Sequence, residues 1–375
     1  MIGWNELLGE TDGETREFLQ RYGFDAGVFE ALRERVRTGS DSQGNHVAGA
    51  LMPVASEELA ALPDPDSAEY EALRREGVAA IRAGRVGVLM LAGGMATRFG
   101  AVVKALAPAY EGRSFLEIKL DDARRVATAL EARVPVLIMS SFATHEALLD
   151  ALPDAHPSLP IEVFPQEVSL RVTPDGTLHR DADGALSPYA TGHGDLTFAL
   201  RRSGALPRFV AGGGELLLMS NVDNLVASLD PAVIGAHLRG GRALTVEVTP
   251  KHPGDQGGIP LAVDGRAQVV EAFRLPPEFD QSSVPVFNTN TMVLDARAID
   301  RDFDLDWFVV QKKVDGAAVI QFERLVGQVT AHLPTHFVVV PREGAGCRFA
   351  PIKTPEDLAL QQELILTALR ARAGH

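Results

Sequence analysis

The sequence predicts an α/β fold: a mostly parallel sheet flanked by helices and preceded by a helical N-terminal region. Two observations predict it. From Val86 onward apolar strand candidates alternate with helical segments, the order that builds a parallel sheet through helical crossovers. The first such strand, residues 86–92 (VGVLMLA), shows no polar alternation, as burial on both faces requires.

Taken in order, residues 15–22, 26–37 and 67–83 set apolar positions at helical spacing among Glu, Arg and Asp. The polar, glycine-bearing stretch 38–47 separates them, and no compact chemical signature appears. Residues 1–83 therefore read as a helical packing region before a larger domain over 84–375. Within that domain 134–140, 161–164, 216–220, 244–249, 286–293 and 337–340 read as strands. Residues 115–133, 144–151, 195–203, 231–238 and 355–371 read as helices. Gly212, Gly213 and Gly214 make a turn before the strand at 216.

Composition bounds the function. At 375 residues, 46% hydrophobic and 23% charged, the chain reads as an ordinary soluble globular protein. No apolar run approaches the roughly 18 residues of a membrane span, and the acidic N-terminus is unlike a secretory leader. A lone cysteine, Cys347, allows no intrachain disulfide and no zinc cluster. The expected compartment is the cytoplasm. A net charge of −14 argues against nucleic acid or an anionic membrane as partner. A phosphorylated substrate would then depend on local cations or a bound divalent metal.

After the strand at 86–92 the chain reads GGMATRFGAVVK. Gly93 and Gly94 let backbone N–H groups approach an anion, and Arg98 and Lys104 add positive charge. The spacing matches neither the Walker loop nor the dinucleotide fingerprint. Residues 216–230 (LLLMSNVDNLVASLD) end an apolar strand in Asn221 and Asp223. A carboxylate there, beside a phosphate loop, suits Mg²⁺, which takes one or two carboxylates plus phosphate oxygens and water. A helix N-cap is the plainer alternative for Asp223.

In TGHGDL, Gly192 and Gly194 flank His193 and expose backbone donors, with Asp195 as an N-cap. Gln166 follows a strand and could pair with a base edge, although on spacing alone it reads as a surface glutamine. In FNTNT (287–291) the polar groups need partners, either sugar hydroxyls or a neighbouring strand. Lys353 stands just before Pro355, a favoured first helical residue, where a cation adds to the field of a helix start.

Read together, LAGGMATRFG, PQEVSL, TGHGDLTFALRRSG, SNVDNL, EVTPKHPGDQGGIP, FNTNT and APIKTPEDL resemble, in order, the UDP-sugar pyrophosphorylase family. The likeness runs from about residue 86 to 360 and is greatest to the glucose-1-phosphate uridylyltransferases. It implies a Rossmann-like nucleotidyltransferase domain. It also implies that Ala92, Gly93 and Gly94 bind the uridine nucleotide with Lys104 on its phosphates, and that Gln166 and Gly192 contact uracil. His193 and Asn221 would touch the sugar phosphate or ribose, and Asp223 would ligate Mg²⁺. Gly258, Glu271, Asn288 and Asn290 would line the sugar pocket, and Lys353, with Arg98 and Lys104, would serve catalysis. Ala96 and Val103 depart from the family pattern, which has glycine and proline there. No C-terminal β-helix domain is expected, and hence a monomer or weak oligomer.

The implied reaction joins UTP and a sugar 1-phosphate, glucose 1-phosphate foremost, without a covalent enzyme intermediate. N-acetylglucosamine 1-phosphate and galactose 1-phosphate are alternative acceptors. A non-catalytic nucleotide-sugar sensor is the alternative of another class.

Overall fold

The computed structural model describes residues 12–39, 45–96, 99–100, 102–152, 157–252, 254–255 and 257–373. Among them, β1 (Leu59–Ala61), β2 (Val86–Leu91), β3 (Val136–Ser140), β4 (Ile161–Pro165), β5 (Leu216–Asn221), β6 (Leu244–Pro250), β7 (Val286–Asp295) and β8 (Thr335–Val339) form one sheet in the order β1-β8-β6-β7-β5-β2-β3-β4. Every neighbouring pair is parallel except the two made by β7. The continuous apolar run of β2 is buried along its whole length. Its side chains alternate between two cores, as the two-residue period of a strand dictates. Val86, Val88 and Met90 join Phe115, Val126, Ile234 and Ile365 on one face. Leu89 and Leu91 join Phe164, Leu200, Phe209 and Phe337 on the other.

The expected helices form with small shifts at their ends. Gly13–Arg21, Ala26–Thr38 and Ala68–Arg82 start at Asp12, Asp25 and Ser67, whose side chains accept backbone N–H groups of the first turn. The expected 355–371 helix divides into Pro355–Leu360 and Gln362–Ala373. After Leu196–Arg202 a second short helix, Ala205–Ala211, follows left-handed Gly204.

Residues 1–83 are not wholly helical. Leu51–Pro53 pairs with Ile259–Val263, and β1 pairs with β8, so the pairing crosses the expected boundary at 83. Such three-residue strands carry too little periodicity to be read from sequence. Two hairpins, Ile259–Val263 with Arg266–Val270 and Phe308–Val314 with Ala317–Glu323, also went unanticipated. Their turns are Asp264-Gly265 and Asp315-Gly316, all four residues at positive φ. Asp-Gly is a strong hairpin signal, so this part of the fold was present in the sequence. The second hairpin supplies Ile320 and Phe322 to the core under the first two helices, around Leu19, Phe29 and Leu32.

Among the described residues no helix is long and apolar enough to cross a membrane. Helices Ala68–Arg82 and Pro231–Gly240 cross in backbone contact. A Cβ on Gly235 would lie 2.0 Å from the Leu73 carbonyl oxygen, and one on Gly77 would lie 1.8 Å from that of Pro231. Gly235→Ala should therefore force the helices apart and lower stability by about 1–3 kcal/mol, as overpacking does. Urea unfolding checks this, and an unchanged midpoint would contradict the contact.

Candidate active site

The parallel strands deliver their C-terminal ends to one edge of the sheet, where open α/β folds bind ligands. Asn221 ends β5 level with Leu91 at the end of β2. Because β7 runs the other way, its N-terminal residues Asn288 and Asn290 reach the same edge. Beyond β2, Ala92 is buried. The Gly93 carbonyl accepts the Ser141 hydroxyl at 2.8 Å. Gln166 is not a surface residue: it is 6% exposed, and a Cβ on Gly93 would lie 2.5 Å from its Nε2. Gly93 is thus required for that approach, whereas Gly94 faces open space. Met95–Ala96 then pairs with Val102–Val103. Thr97 and the expected Arg98 lie outside the described residues.

Asp223 caps no helix, since the next one begins at Pro231 and is capped by Asp230. Its loop is instead locked to the C-terminal segment. Ile352 N–H donates to the Asp223 carbonyl at 3.0 Å, and the Ile352 carbonyl accepts Lys104 Nζ at 2.5 Å. The Asn224 amide bonds both the Arg348 carbonyl, 3.0 Å, and the Ala350 N–H, 3.1 Å. Asp223 Oδ1 is buried without a hydrogen-bond partner. Burial raises the pKa of this carboxyl, and the Lys104 and Lys353 charges oppose that rise.

Lys104 is turned inward as well as towards the site. Its ammonium lies 4.4 Å from the centre of the Phe99 ring and 5.0 Å from that of Phe115, so cation–π attraction reinforces its bond to Ile352. Lys353 is exposed. Its backbone is held by a capping box, in which Asp357 accepts the Lys353 and Thr354 N–H groups at 2.8 Å each and donates its own N–H to Thr354 Oγ1. Beside it runs a groove of about 580 Å³ lined by His252, Phe287, Arg342, Phe349, Pro351 and Lys353 among others.

The TGHGD loop threads against the backbone of Arg324. Gly192 has φ 93°, and a Cβ there would lie 2.7 Å from the Arg324 carbonyl oxygen. His193 Nδ1 accepts the Val326 N–H at 3.0 Å, which leaves Nε2 to carry the ring proton. Burial pushes the His193 pKa down to about 4. The imidazole is therefore a neutral donor at physiological pH.

Asp195 holds the N-cap position of Leu196–Arg202, as expected, but its side chain makes no capping bond. It is buried, accepts from the Thr191 hydroxyl and the Glu167 N–H, and is paired with Arg324 at 2.6 Å. Arg324 also bonds Glu167 and lies 4.1 Å from the Trp307 ring and 4.3 Å from that of Phe198. Sequence reading missed it, since an isolated arginine 129 residues from its partner leaves no local signal.

In FNTNT the neighbouring strands supply partners. A register shift between Glu247 and Val248 bulges β7 opposite them, and Asn290 takes φ 57°, a conformation asparagine tolerates. Bulges beside active sites re-aim side chains. Thr289 bonds across to the Glu247 carbonyl, 3.0 Å, while Asn290 Nδ2 donates to Asn221 Oδ1, 2.9 Å. The Asn288 N–H donates to Gly258 O at 2.8 Å. Gly258 lies against the Glu271 carboxyl, whose pKa is raised by burial. The fold thus gathers Gly93, Gln166, Asn221, Asn288 and Asn290 at the edge, with Lys104, Asp223 and Lys353 as a charged cluster.

A family model described as UTP–glucose-1-phosphate uridylyltransferase matches residues 43–370. The UTP–glucose-1-phosphate uridylyltransferase of Saccharomyces cerevisiae is 30% identical over 320 residues, 80% of this chain and 63% of its own length. That of Encephalitozoon cuniculi is 29% identical over 315 residues, 80% and 60% respectively. The chain thus spans about three fifths of the length of these relatives. Among solved structures, the fold resembles UDP-N-acetylglucosamine pyrophosphorylase from Trypanosoma brucei, with a TM-score of 0.75 and 19% identity over 94% of this chain and 80% of that one. It also resembles UDP-glucose pyrophosphorylase from Leishmania major in complex with UDP-glucose, at TM-score 0.69 and 22% identity over 93% and 79%. Matched across 328 of its 375 residues, this chain belongs to the UTP–glucose-1-phosphate uridylyltransferase family.

Proposed function

We propose that this chain transfers the uridylyl group of UTP to a sugar 1-phosphate, foremost glucose 1-phosphate, giving a UDP-sugar and pyrophosphate. The observation that carries this reading is the Asp223 carboxylate, with a buried, unpartnered oxygen within electrostatic reach of Lys104 and Lys353, at the strand edge that bears Gly93 and Gln166. Among the described residues no cluster of three or more His, Cys, Asp or Glu could hold a metal alone. A single carboxylate with one unpartnered oxygen fits Mg²⁺, whose remaining ligands would be phosphate oxygens and water. Bound there, the ion would supply charge neutralisation on the phosphates.

The chain's own residues bring two anions together. Gly93 and Gly94 leave room for the nucleotide, and the Gln166 amide offers both a donor and an acceptor to the uracil edge. His193 Nε2–H donates to a phosphate or hydroxyl oxygen without adding charge. Glu271, Asn288 and Asn290 offer acceptors and donors to sugar hydroxyls. A sugar-phosphate oxygen, already ionised, attacks the α-phosphorus in line, the bond to the bridging oxygen breaks, and pyrophosphate leaves. No side-chain nucleophile is needed. Alignment and the Lys353 charge lower the barrier.

A pyrophosphate-release assay across four nucleoside triphosphates and a panel of glucose, galactose and N-acetylglucosamine 1-phosphates with Mg²⁺ should give turnover with UTP and glucose 1-phosphate foremost. Tight UDP-sugar binding with no turnover for any pair would overturn the reading in favour of a sensor. Lys353→Ala should lower kcat by roughly 10²-fold, as removal of a charge-stabilising donor does. A kcat within a few-fold of the parent would remove Lys353 from catalysis.

Nitrogen NMR should find His193 as the neutral Nε2–H tautomer from pH 8 down to about 5, since its pKa lies near 4. Between that value and the unfolded value of about 6.5 the unfolded chain binds a proton that folded His193 does not, so this residue's share of stability is lost as pH falls through that window. An imidazole titrating near 6.5 in the folded protein would contradict the assignment.

A further inference from the structure

Lys119 sits on the helix Phe115–Ala129 with 4% of its surface exposed, and none of the steps above uses it. Its ammonium donates to Ser220 Oγ at 2.8 Å, to the Asn224 carbonyl at 3.5 Å and to the Ala227 carbonyl. All three acceptors are neutral. Burying an ammonium without a directly bonded carboxylate is costly, and a methionine would fill the same space. Packing alone does not require the charge; the three hydrogen bonds use it.

The acceptors belong to one stretch of chain. Ser220 immediately precedes Asn221 and Asn224 immediately follows Asp223, so one ammonium grips both flanks of the turn that carries these two site residues. The grip comes from the helix side, whereas Ile352 holds the Asp223 carbonyl from the C-terminal segment. Burial pulls the Lys119 pKa down to about 8, with Asp122 and Glu247 opposing and Arg348 and Arg372 adding to the fall. It remains largely charged at neutral pH, and its charge joins those of Lys104 and Lys353 in favouring an ionised Asp223.

We propose that Lys119 is a positioning residue of the phosphate and metal site: its ammonium holds Ser220, Asn224 and Ala227 so that the turn between them aims the Asp223 carboxylate. This inference rests on the reading of Asp223 given under Proposed function. Residues that orient a metal ligand from behind typically matter by 10–100-fold in metal affinity or activity.

The test compares the parent with Lys119→Met, Lys119→Arg and Ser220→Ala. It measures kcat, the Mg²⁺ concentration for half-maximal rate, binding of UTP in the presence of Mg²⁺ by calorimetry, and urea unfolding. Lys119→Met should raise the half-saturating Mg²⁺ by about tenfold or more and weaken Mg²⁺-dependent UTP binding in step, while KM for the sugar phosphate moves little. Lys119→Arg, which keeps a cationic donor, should recover part of the loss. Ser220→Ala, which removes one of three bonds, should shift the same quantities in the same direction by a smaller factor.

Folded Lys119→Met with Mg²⁺ half-saturation and UTP binding within twofold of the parent would overturn the proposal. So would losses confined to urea stability, which mark a purely structural lysine. Should Lys119→Met not fold, Ser220→Ala decides, and parental values there overturn the proposal. Absence of pyrophosphate release in the parent would overturn the uridylyltransfer reading instead, and the calorimetric comparison would still judge Lys119.

Discussion

The site depends on the crossing of residues 347–353 over the loop that follows β5. Arg348 is 1% exposed, and its guanidinium bonds Glu247 at 2.6 and 2.9 Å and the Ser228 carbonyl at 3.1 Å. A buried guanidinium demands such complete pairing, because each missing partner leaves a charge in a medium that cannot solvate it. With Arg348 anchored on β6, Asn224 and Ile352 can hold the two segments in register. The Asp223 carbonyl, the Ile352 peptide and the Lys104 ammonium then form one chain of hydrogen bonds. An acidic chain thereby brings lysines from two remote segments within electrostatic reach of a single carboxylate.

A second constraint works beside it. The Gly192–Gly194 loop lies on the Arg324 backbone, and the Arg324 side chain closes a buried pair with Asp195 between Phe198 and Trp307. His193 is held as a neutral donor by a backbone N–H from the next residues of that same segment. Charge and donor geometry in the site are thus set largely by backbone contacts, which require glycine at the crossing points and leave side chains free for ligand.

Much of this was readable beforehand. The apolar run before Gly93, the strand end at Asn221 and the order of the glycine-bearing motifs pointed to the fold and to the strand edge at which several of the candidate residues gather. The Asp-Gly turns of two hairpins carried a signal that periodicity alone passes over. Gln166 read as a surface residue and Asp195 as a helix cap, because spacing reports local roles and both residues are fixed by partners distant in sequence.

The sequence by itself determined the alternation of strands and helices, the two-faced burial of β2 and the set of chemistries placed at strand ends. These follow from local rules of periodicity, glycine conformation and charge. Only the tertiary structure decided that β7 runs antiparallel and presents Asn290 to Asn221, that Lys104 reaches Ile352, and that an arginine and a lysine deep in the core brace the Asp223 loop. Such pairings join residues more than 60 positions apart, and chain closure over those distances is settled by packing of the whole fold, which no local pattern encodes.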